Sequence, residues 1–142
     1  MAVIKQLLKT KGHDIESVGA NDSVYDAIKL MADKNVGSLV VLENGKLVGI
    51  VTERHYARNV FLKGRSSRET LVGDIMATHV VCASVDQTVQ ECMALMTDKM
   101  VRHLPVLDNN ELVGIISIGD LVKNIIDGQQ FIIEQLEMYI SR

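Results

Sequence analysis

Apolar and polar residues alternate along this chain with two different periods. After Ser23 the apolar positions recur every three or four residues, which predicts an amphipathic helix with Ser23 as its N-cap. Two short apolar runs follow, over residues 38–42 and 46–51, and Asn44 and Gly45 between them predict a tight hairpin turn. The pattern therefore predicts a helix followed by two antiparallel strands.

The same pattern occurs a second time. Residues 23–60 align with residues 88–125 at a constant shift of 65 positions and without a gap. Thr88 is the second N-cap, and the second pair of strand runs covers residues 103–107 and 111–116. An internal repeat of this kind indicates two copies of one supersecondary unit that bury their apolar faces together.

Shorter signals complete each repeat. Extended pieces at 14–18 and 79–83 precede the helices, and a second helix follows each hairpin, the later one from about 119 to 127. We therefore expect an α+β, sandwich-like fold of two pseudo-symmetric β-α-β-β-α repeats packed through their sheets. The first repeat, with an N-terminal extension, would take residues 1–65, and the second, with the linker, residues 66–142. Residues 129–140 predict one more helix, which either closes the core or meets a partner chain.

Composition narrows the class of protein. Apolar residues make up 47% of the chain and aromatic residues 4%, so the expected core is aliphatic. The net charge of −3 argues against a general nucleic-acid surface, which is usually basic. The N-terminal segment is too short and too charged for a secretory signal, and no run of 18 apolar residues occurs, so we expect a cytoplasmic protein without membrane contact. Cys82 and Cys92 are then reduced thiols of the core.

Four stretches give the chain a resemblance to a known family: residues 49–52, 74–76, 102–106 and 114–120. The first and last of them begin with a glycine, two apolar residues and a threonine or serine. In these stretches the chain resembles a tandem pair of cystathionine-β-synthase (CBS) domains, also called a Bateman module, of the small stand-alone bacterial type. The resemblance covers nearly the whole chain.

The resemblance implies an adenine nucleotide ligand (AMP, ADP, ATP, NAD or S-adenosylmethionine) that binds in clefts between the repeats and acts as a signal. It also implies a homodimer. Because no catalytic or transport domain is attached, the effector is expected to be a separate protein. The alternative is a dimerising structural module with one or both nucleotide sites degenerate. An enzyme with a catalytic cofactor is not expected, since no catalytic triad and no paired carboxylates stand out.

Ser117 and Asp120 are the foremost candidate ligands. Their spacing at the start of a helix predicts a capping box, with Ser117 as the N-cap. The same helix terminus favours an anion, and a carboxylate there can accept hydrogen bonds from both ribose hydroxyls. By resemblance, Ser117 is the phosphate-side contact and Asp120 is the ribose contact.

Thr52 and His55 are the equivalent pair in the first repeat, and here the chain departs from the family, which has aspartate at the position of His55. A neutral imidazole accepts only one hydrogen bond. The first site is therefore weaker, altered in preference or recruited for phosphate. The alternative is that His55 is a surface residue on a helical turn.

Basic residues supply further candidates. Arg102 would pair with phosphate at the entry to a strand, where Pro105, which lacks an N–H, is expected at an edge or strand-start position; an ordinary edge strand is the alternative. A cluster of arginines and serines predicts either a phosphate pocket or a solvated linker. Its members are Arg54, Arg58, Arg65, Ser66, Ser67 and Arg68.

The resemblance adds six residues to the nucleotide contacts: Gly37, Ser38, Thr78, Val80, His103 and Pro105. A metal site is not expected, because His13, His79 and Cys82 do not show the spacing of metal ligands.

Overall fold

The helix and strand signals become elements at nearly the predicted positions. The structure is a computed structural model and describes residues 2–141. In chain order its elements are α1 (Ile4–Lys11), β1 (Ser17–Val18), α2 (Val24–Lys34), β2 (Ser38–Glu43), β3 (Lys46–Thr52), α3 (Glu53–Tyr56), β4 (Ala83–Ser84), α4 (Val89–Lys99), β5 (His103–Asp108), β6 (Glu111–Ser117) and α5 (Ile118–Ile140). A π-helical turn (Ala57–Phe61) follows α3, and a 3-10 turn (Val72–Asp74) precedes β4. The predicted α+β class and both predicted hairpins are confirmed.

Side-chain hydrogen bonds cap the N-termini of α2 and α4, the first helix of each repeat. The Ser23 hydroxyl accepts from the Asp26 N–H at 3.1 Å, and the Thr88 hydroxyl accepts from the Glu91 N–H at 3.0 Å. Glu91 in turn accepts from the Thr88 N–H at 3.2 Å, which completes a capping box. These bonds satisfy N–H groups that a helix leaves unpaired in its first turn, so both helices begin where the sequence predicts.

Each hairpin belongs to its own three-stranded sheet. The strand orders are β1-β2-β3 and β4-β5-β6, with a parallel pairing followed by an antiparallel one in both sheets. Asn44 and Gly45 both have positive φ in the first turn, as do Asn109 and Asn110 in the second. Two consecutive residues of this kind match the twist of a tight hairpin, so the predicted turns are confirmed.

Pro105 contradicts the expectation of an edge or strand-start position. It is buried within β5, the central strand of its sheet, and faces Ile115 of β6. Val40 is the equivalent residue in the first sheet. Its N–H donates to the carbonyl of Glu16, the residue just before the parallel strand β1, at 3.4 Å. Pro105 only omits that bond, because β4 begins at Ala83 and pairs with the residues that follow Pro105. A central strand therefore tolerates proline where its parallel neighbour has not yet begun.

The contacts divide the chain into two units that differ from the expected boundary at residues 65 and 66. One unit contains residues 1–13 and 82–142, and the other contains residues 14–81. The N-terminal segment joins the second repeat because Ile4 and Leu8 of α1 are fully buried and the Ile4 N–H donates to the Gln87 carbonyl at 2.9 Å. The linker joins the first repeat in a similar manner, since the Val24 N–H donates to the Thr70 carbonyl at 2.8 Å.

Both units have the aliphatic core that the composition predicts. In the first repeat, Val24, Leu39, Val51 and Val72 are fully buried in one cluster. In the second repeat the fully buried side chains include Val89, Cys92, Leu104, Val106, Ile116 and Leu121. Cys92 is buried, as expected for a thiol of the core, whereas Cys82 is only partly buried. Burial raises the pKa of Cys92 to about 11, with a smaller contribution from Glu91.

The helices predicted at about 119–127 and at 129–140 form one continuous helix. The single helix α5 runs for 23 residues through Gly128, which leaves no break between the predicted segments. Its distal half carries apolar side chains that are exposed, among them Phe131, Ile132, Leu136 and Tyr139. Within residues 2–141, none of the helices combines the length and apolar character needed to cross a membrane.

Candidate functional site

Ser117 and Asp120 form a reciprocal pair at the N-terminus of α5. The Asp120 N–H donates to Ser117 Oγ at 3.2 Å, and the Ser117 N–H donates to Asp120 Oδ2 at 2.8 Å. The predicted capping box is therefore confirmed. Asp120 is half-buried and lies where a long helix concentrates positive partial charge, so this terminus combines a carboxylate with an environment that suits an anion.

A lysine from the far end of the sequence meets this carboxylate. Lys11, the last residue of α1, places Nζ 2.6 Å from Asp120 Oδ2. The same ammonium donates to the Ile115 carbonyl of β6. Lys11 Nζ and the Ser117 N–H both donate to Oδ2. A carboxylate can accept about four hydrogen bonds, so Asp120 has the capacity for a further donor.

The charges around Asp120 keep it ionised. Burial raises the pKa of the Asp120 carboxyl, but the hydrogen bonds from Lys11 and from the Ser117 N–H outweigh this effect, so its pKa lies below the ordinary value. For His103, burial and the nearby positive charges of Lys11 and Arg102 lower the pKa, against an opposing effect of Asp120. At neutral pH the site therefore presents a carboxylate and a neutral imidazole.

Arg102 and His103 lie beside the same helix terminus. The Arg102 carbonyl accepts from the Ile118 N–H, the first residue of α5, at 2.9 Å. His103 begins β5 and faces Ser117 across the hairpin. The strand therefore delivers both residues to the start of α5, while the Arg102 side chain is exposed.

The first repeat reproduces this geometry with different chemistry. The His55 N–H donates to Thr52 Oγ1 at 3.2 Å, and the Thr52 N–H donates to His55 Nδ1 at 3.1 Å. Burial, followed by the charges of Arg54 and Arg58, lowers the pKa of His55. Because Nδ1 accepts from a backbone N–H, the neutral ring keeps its proton on Nε2 and offers a donor where Asp120 offers an acceptor. His55 is half-buried and in the cap, which differs from a plain surface residue.

The basic cluster of the linker is held by local contacts. The Arg68 guanidinium lies 3.9 Å above the centroid of the Tyr25 ring, and Arg65 approaches Asp74 at 4.0 Å. The Ser67 hydroxyl donates to the Tyr56 hydroxyl at 3.3 Å, and the Ser66 carbonyl accepts from the Thr70 hydroxyl at 2.6 Å. These contacts hold part of the cluster in place, although Arg54, Arg58, Arg65, Ser66 and Arg68 are exposed. The phosphate pocket and the solvated linker both stay predictions.

A CBS-domain family model matches the chain twice, over residues 4–61 and 72–127. The chain belongs to the CBS-domain family. This CBS pair is 38% identical over 147 residues to the CBS domain-containing protein CBSX3, mitochondrial, of Arabidopsis thaliana, in an alignment that covers 97% of this chain and 71% of that protein.

Solved structures have the same architecture as this CBS pair. A CBS-domain protein from Burkholderia ambifaria is 51% identical, with a TM-score of 0.87 over 90% of this chain and 96% of that chain. The CBS domain pair of protein MJ0100, solved in complex with 5′-methylthioadenosine and S-adenosyl-L-methionine, is 24% identical, with a TM-score of 0.78 over 91% of this chain and 98% of that chain. This second likeness shows a shared fold.

The residues predicted as nucleotide contacts of the CBS pair fall in two groups. Ser117, Asp120, Arg102, His103 and Pro105 belong to the unit of the second repeat. Thr52, Arg54, His55, Arg58, Arg65, Ser66, Ser67, Gly37, Ser38, Thr78 and Val80 belong to the unit of the first repeat. The Gly37 carbonyl accepts from the Glu53 N–H at 3.2 Å, in the same manner as Arg102 in the other repeat, and Ser38 is buried at the start of β2. Thr78 is exposed and Val80 is half-buried in the linker.

Sequence reasoning missed Lys11. It lies outside the two aligned segments, and its partner Asp120 is 109 positions away, so no local pattern connects them. The only available signal was the position of Lys11 in the last turn of an amphipathic N-terminal helix. No group of three or more histidine, cysteine, aspartate or glutamate side chains arranged for a metal occurs in the described part of the chain.

Proposed function

We propose that this CBS pair is a regulatory module that binds an adenine nucleotide at Asp120 and signals its presence to a separate effector protein. The reciprocal Ser117–Asp120 pair at the start of α5 is the observation that carries the proposal. The CBS fold accommodates adenosine-containing ligands, since the MJ0100 pair was solved with two of them. A bound nucleotide would act by favouring one of two arrangements of the protein, to the extent that it binds that arrangement more tightly.

The ribose is the part of the ligand that Asp120 would recognise. A ribose presents two adjacent hydroxyl donors, and an ionised carboxylate is an acceptor on both oxygens. The lowered pKa of Asp120 keeps it in this acceptor form at neutral pH. Charge-assisted hydrogen bonds of this kind are about twice as strong as neutral ones, so Asp120 would supply much of the affinity.

The phosphate would bind beside the same terminus. The first-turn N–H groups and the positive end of a helix form a favourable environment for an anion. Arg102 and Lys11 add positive charge next to α5. A site with a ribose acceptor and cationic neighbours fits AMP, ADP, ATP or NAD better than an uncharged ligand.

The first repeat would bind the same ligand less well. His55 offers an Nε2–H donor, which can contact one ribose oxygen or a phosphate but cannot accept from a diol. The basic residues Arg54 and Arg58 beside it favour a phosphate contact. We therefore propose unequal sites, with the tighter one at Asp120.

Isothermal titration calorimetry with AMP, ATP and NAD tests the proposal. We expect Asp120→Asn to weaken binding by about tenfold to a hundredfold, because hydrogen bonds to a charged group are worth about 1.5–3 kcal/mol. Asp127→Asn is the matched control, since it removes the same charge from an exposed position of the same helix and should bind like the original chain. Equal affinities for the Asp120 and Asp127 variants would show that Asp120 is not the ribose contact.

Self-association is a second candidate function, and the exposed apolar side chains of α5 favour it. Phe131, Leu136 and Tyr139 are 62%, 55% and 75% exposed, a concentration of apolar surface that commonly marks an interface. We propose that a homodimer covers this surface. Sedimentation equilibrium of the full chain with and without AMP measures its mass directly; a monomer at all concentrations would count against the dimer but not against nucleotide binding.

A further inference from the structure

The N-terminal segment is anchored to the second repeat and holds Lys11 in place. Leu8 is fully buried, the Lys5 N–H donates to the Val85 carbonyl at 2.9 Å, and the Gly12 N–H closes α1 on the Leu8 carbonyl at 2.7 Å. Just beyond the helix, His13 Nδ1 lies 2.8 Å from the Val113 carbonyl of β6. Contacts on both sides of Lys11 therefore fix it beside Asp120.

The first repeat has no such lysine. The residue 65 positions after Lys11 is Met76, and the residue equivalent to Asp120 is His55. The Ile50 carbonyl, equivalent to Ile115, accepts from the backbone N–H of Ala77 at 2.9 Å instead of from an ammonium. In the first repeat a neutral histidine thus replaces the aspartate and a backbone N–H replaces the ammonium, so the cation accompanies the carboxylate.

We infer that Lys11 competes with the ligand's ribose hydroxyls for Asp120 and thereby makes the site favour anionic nucleotides over neutral nucleosides. The inference rests on the proposed nucleotide site. A ribose diol that contacts both oxygens of Asp120 must share or displace the ammonium on Oδ2. A nucleoside brings nothing to replace that ion pair, whereas a nucleotide brings a phosphate to which the released ammonium can donate.

The magnitude of this competition is modest. The side chains of Lys11 and Asp120 are 32% and 26% exposed, so solvent screens their attraction. Ion pairs of this exposure contribute up to about 1 kcal/mol, which corresponds to about a fivefold change in affinity. We therefore expect Lys11 to tune the ligand preference of the site without abolishing nucleoside binding.

Calorimetry of Lys11→Met with adenosine and with AMP tests the inference, because methionine removes the charge and keeps an unbranched side chain. We expect adenosine to bind about threefold to fivefold more tightly to the variant, and the preference for AMP over adenosine to shrink by at least as much. Lys9→Met, an equal change of charge at an exposed position of α1, should leave both affinities unchanged. An adenosine affinity that stays the same or falls in Lys11→Met would overturn the inference.

A second measurement needs no variant. Added salt weakens exposed ion pairs, so adenosine should bind the unmodified chain more tightly as sodium chloride rises from about 50 to about 500 mM. The same salt should weaken AMP binding. An adenosine affinity that does not increase with salt contradicts the competition.

The two proposals fail in distinguishable ways. If the unmodified chain binds neither AMP nor adenosine, or if Asp120→Asn binds both normally, the nucleotide site itself is wrong. If Asp120→Asn weakens binding but Lys11→Met and salt leave adenosine unaffected, only the role of Lys11 is wrong.

Discussion

Two equivalent glycines in β3 and β6 provide a direct test of how the upstream segments dock. A Cβ added at Gly49 would lie 2.5 Å from Met76 Sδ and 2.9 Å from the Ala77 carbonyl oxygen. A Cβ added at Gly114 would lie 2.8 Å from a methyl carbon of Leu8, the residue that anchors α1. Both glycines are therefore required for close approach, but the first meets backbone and the second meets the end of a side chain.

The structure predicts a larger loss for Gly49→Ala than for Gly114→Ala. The Ala77 carbonyl accepts from the Ile50 N–H at 3.0 Å, so it cannot retreat without weakening that bond. Overpacking destabilises the folded state by about 1–3 kcal/mol, and a weakened hydrogen bond by about 1 kcal/mol. Alanine offsets about 0.4–1 kcal/mol of this loss, because it lowers the conformational entropy of the unfolded chain. We expect a net loss of about 3 kcal/mol for Gly49→Ala. Rotation of Leu8 limits the loss for Gly114→Ala to about 1 kcal/mol.

Differential scanning calorimetry measures the difference. At about 2–4 °C per kcal/mol for a chain of this size, Gly49→Ala should lower Tm by about 10 °C and Gly114→Ala by about 3 °C. Gly128→Ala serves as the control, because nothing lies within 4 Å of its added Cβ and alanine favours the helix; its Tm should stay level or rise. A loss for Gly114→Ala equal to or greater than that for Gly49→Ala would refute the distinction between backbone and side-chain obstruction.

Two further predictions concern His55 and Met100. Folding lowers the pKa of His55 from 6.5, so the unfolded chain binds the proton more readily than the folded chain. The stability that neutral His55 contributes above pH 6.5 is therefore lost as the pH falls from 6.5 toward the pKa of the folded state. His55→Asn keeps an acceptor for the Thr52 N–H without titrating, and urea unfolding between about pH 7 and pH 5 should show a smaller loss than in the original chain; His103, whose pKa is also lowered, keeps the loss above zero. Equal slopes for the two proteins would refute this role of His55. Met100 ends α4 with φ of 57° and is 82% exposed, whereas the equivalent Asn35 suits this left-handed conformation. Met100→Asn should therefore raise stability by about 0.5–1 kcal/mol in thermal unfolding, and a lower Tm would contradict the strain argument.

The sequence alone determined the local structure of both repeats and the chemistry of one pair of residues. Helices capped by Ser23 and Thr88 and turns at Asn44-Gly45 and Asn109-Asn110 depend on contacts between neighbours in the chain, which the order of residues encodes directly. The Ser117–Asp120 pair was predictable for the same reason, since its two hydrogen bonds span three positions.

Only the tertiary structure decided which segments pack together and which charge meets Asp120. The association of α1 with the second repeat depends on buried contacts of Ile4 and Leu8 with residues far along the chain. Because the hydrophobic effect is non-directional, the sequence of an apolar segment does not specify which other segment it packs against. The same long-range packing places Lys11 against Asp120 and lets Pro105 occupy a central strand. These features arise from which backbone groups are near one another in space, and a local pattern of residues does not contain that information.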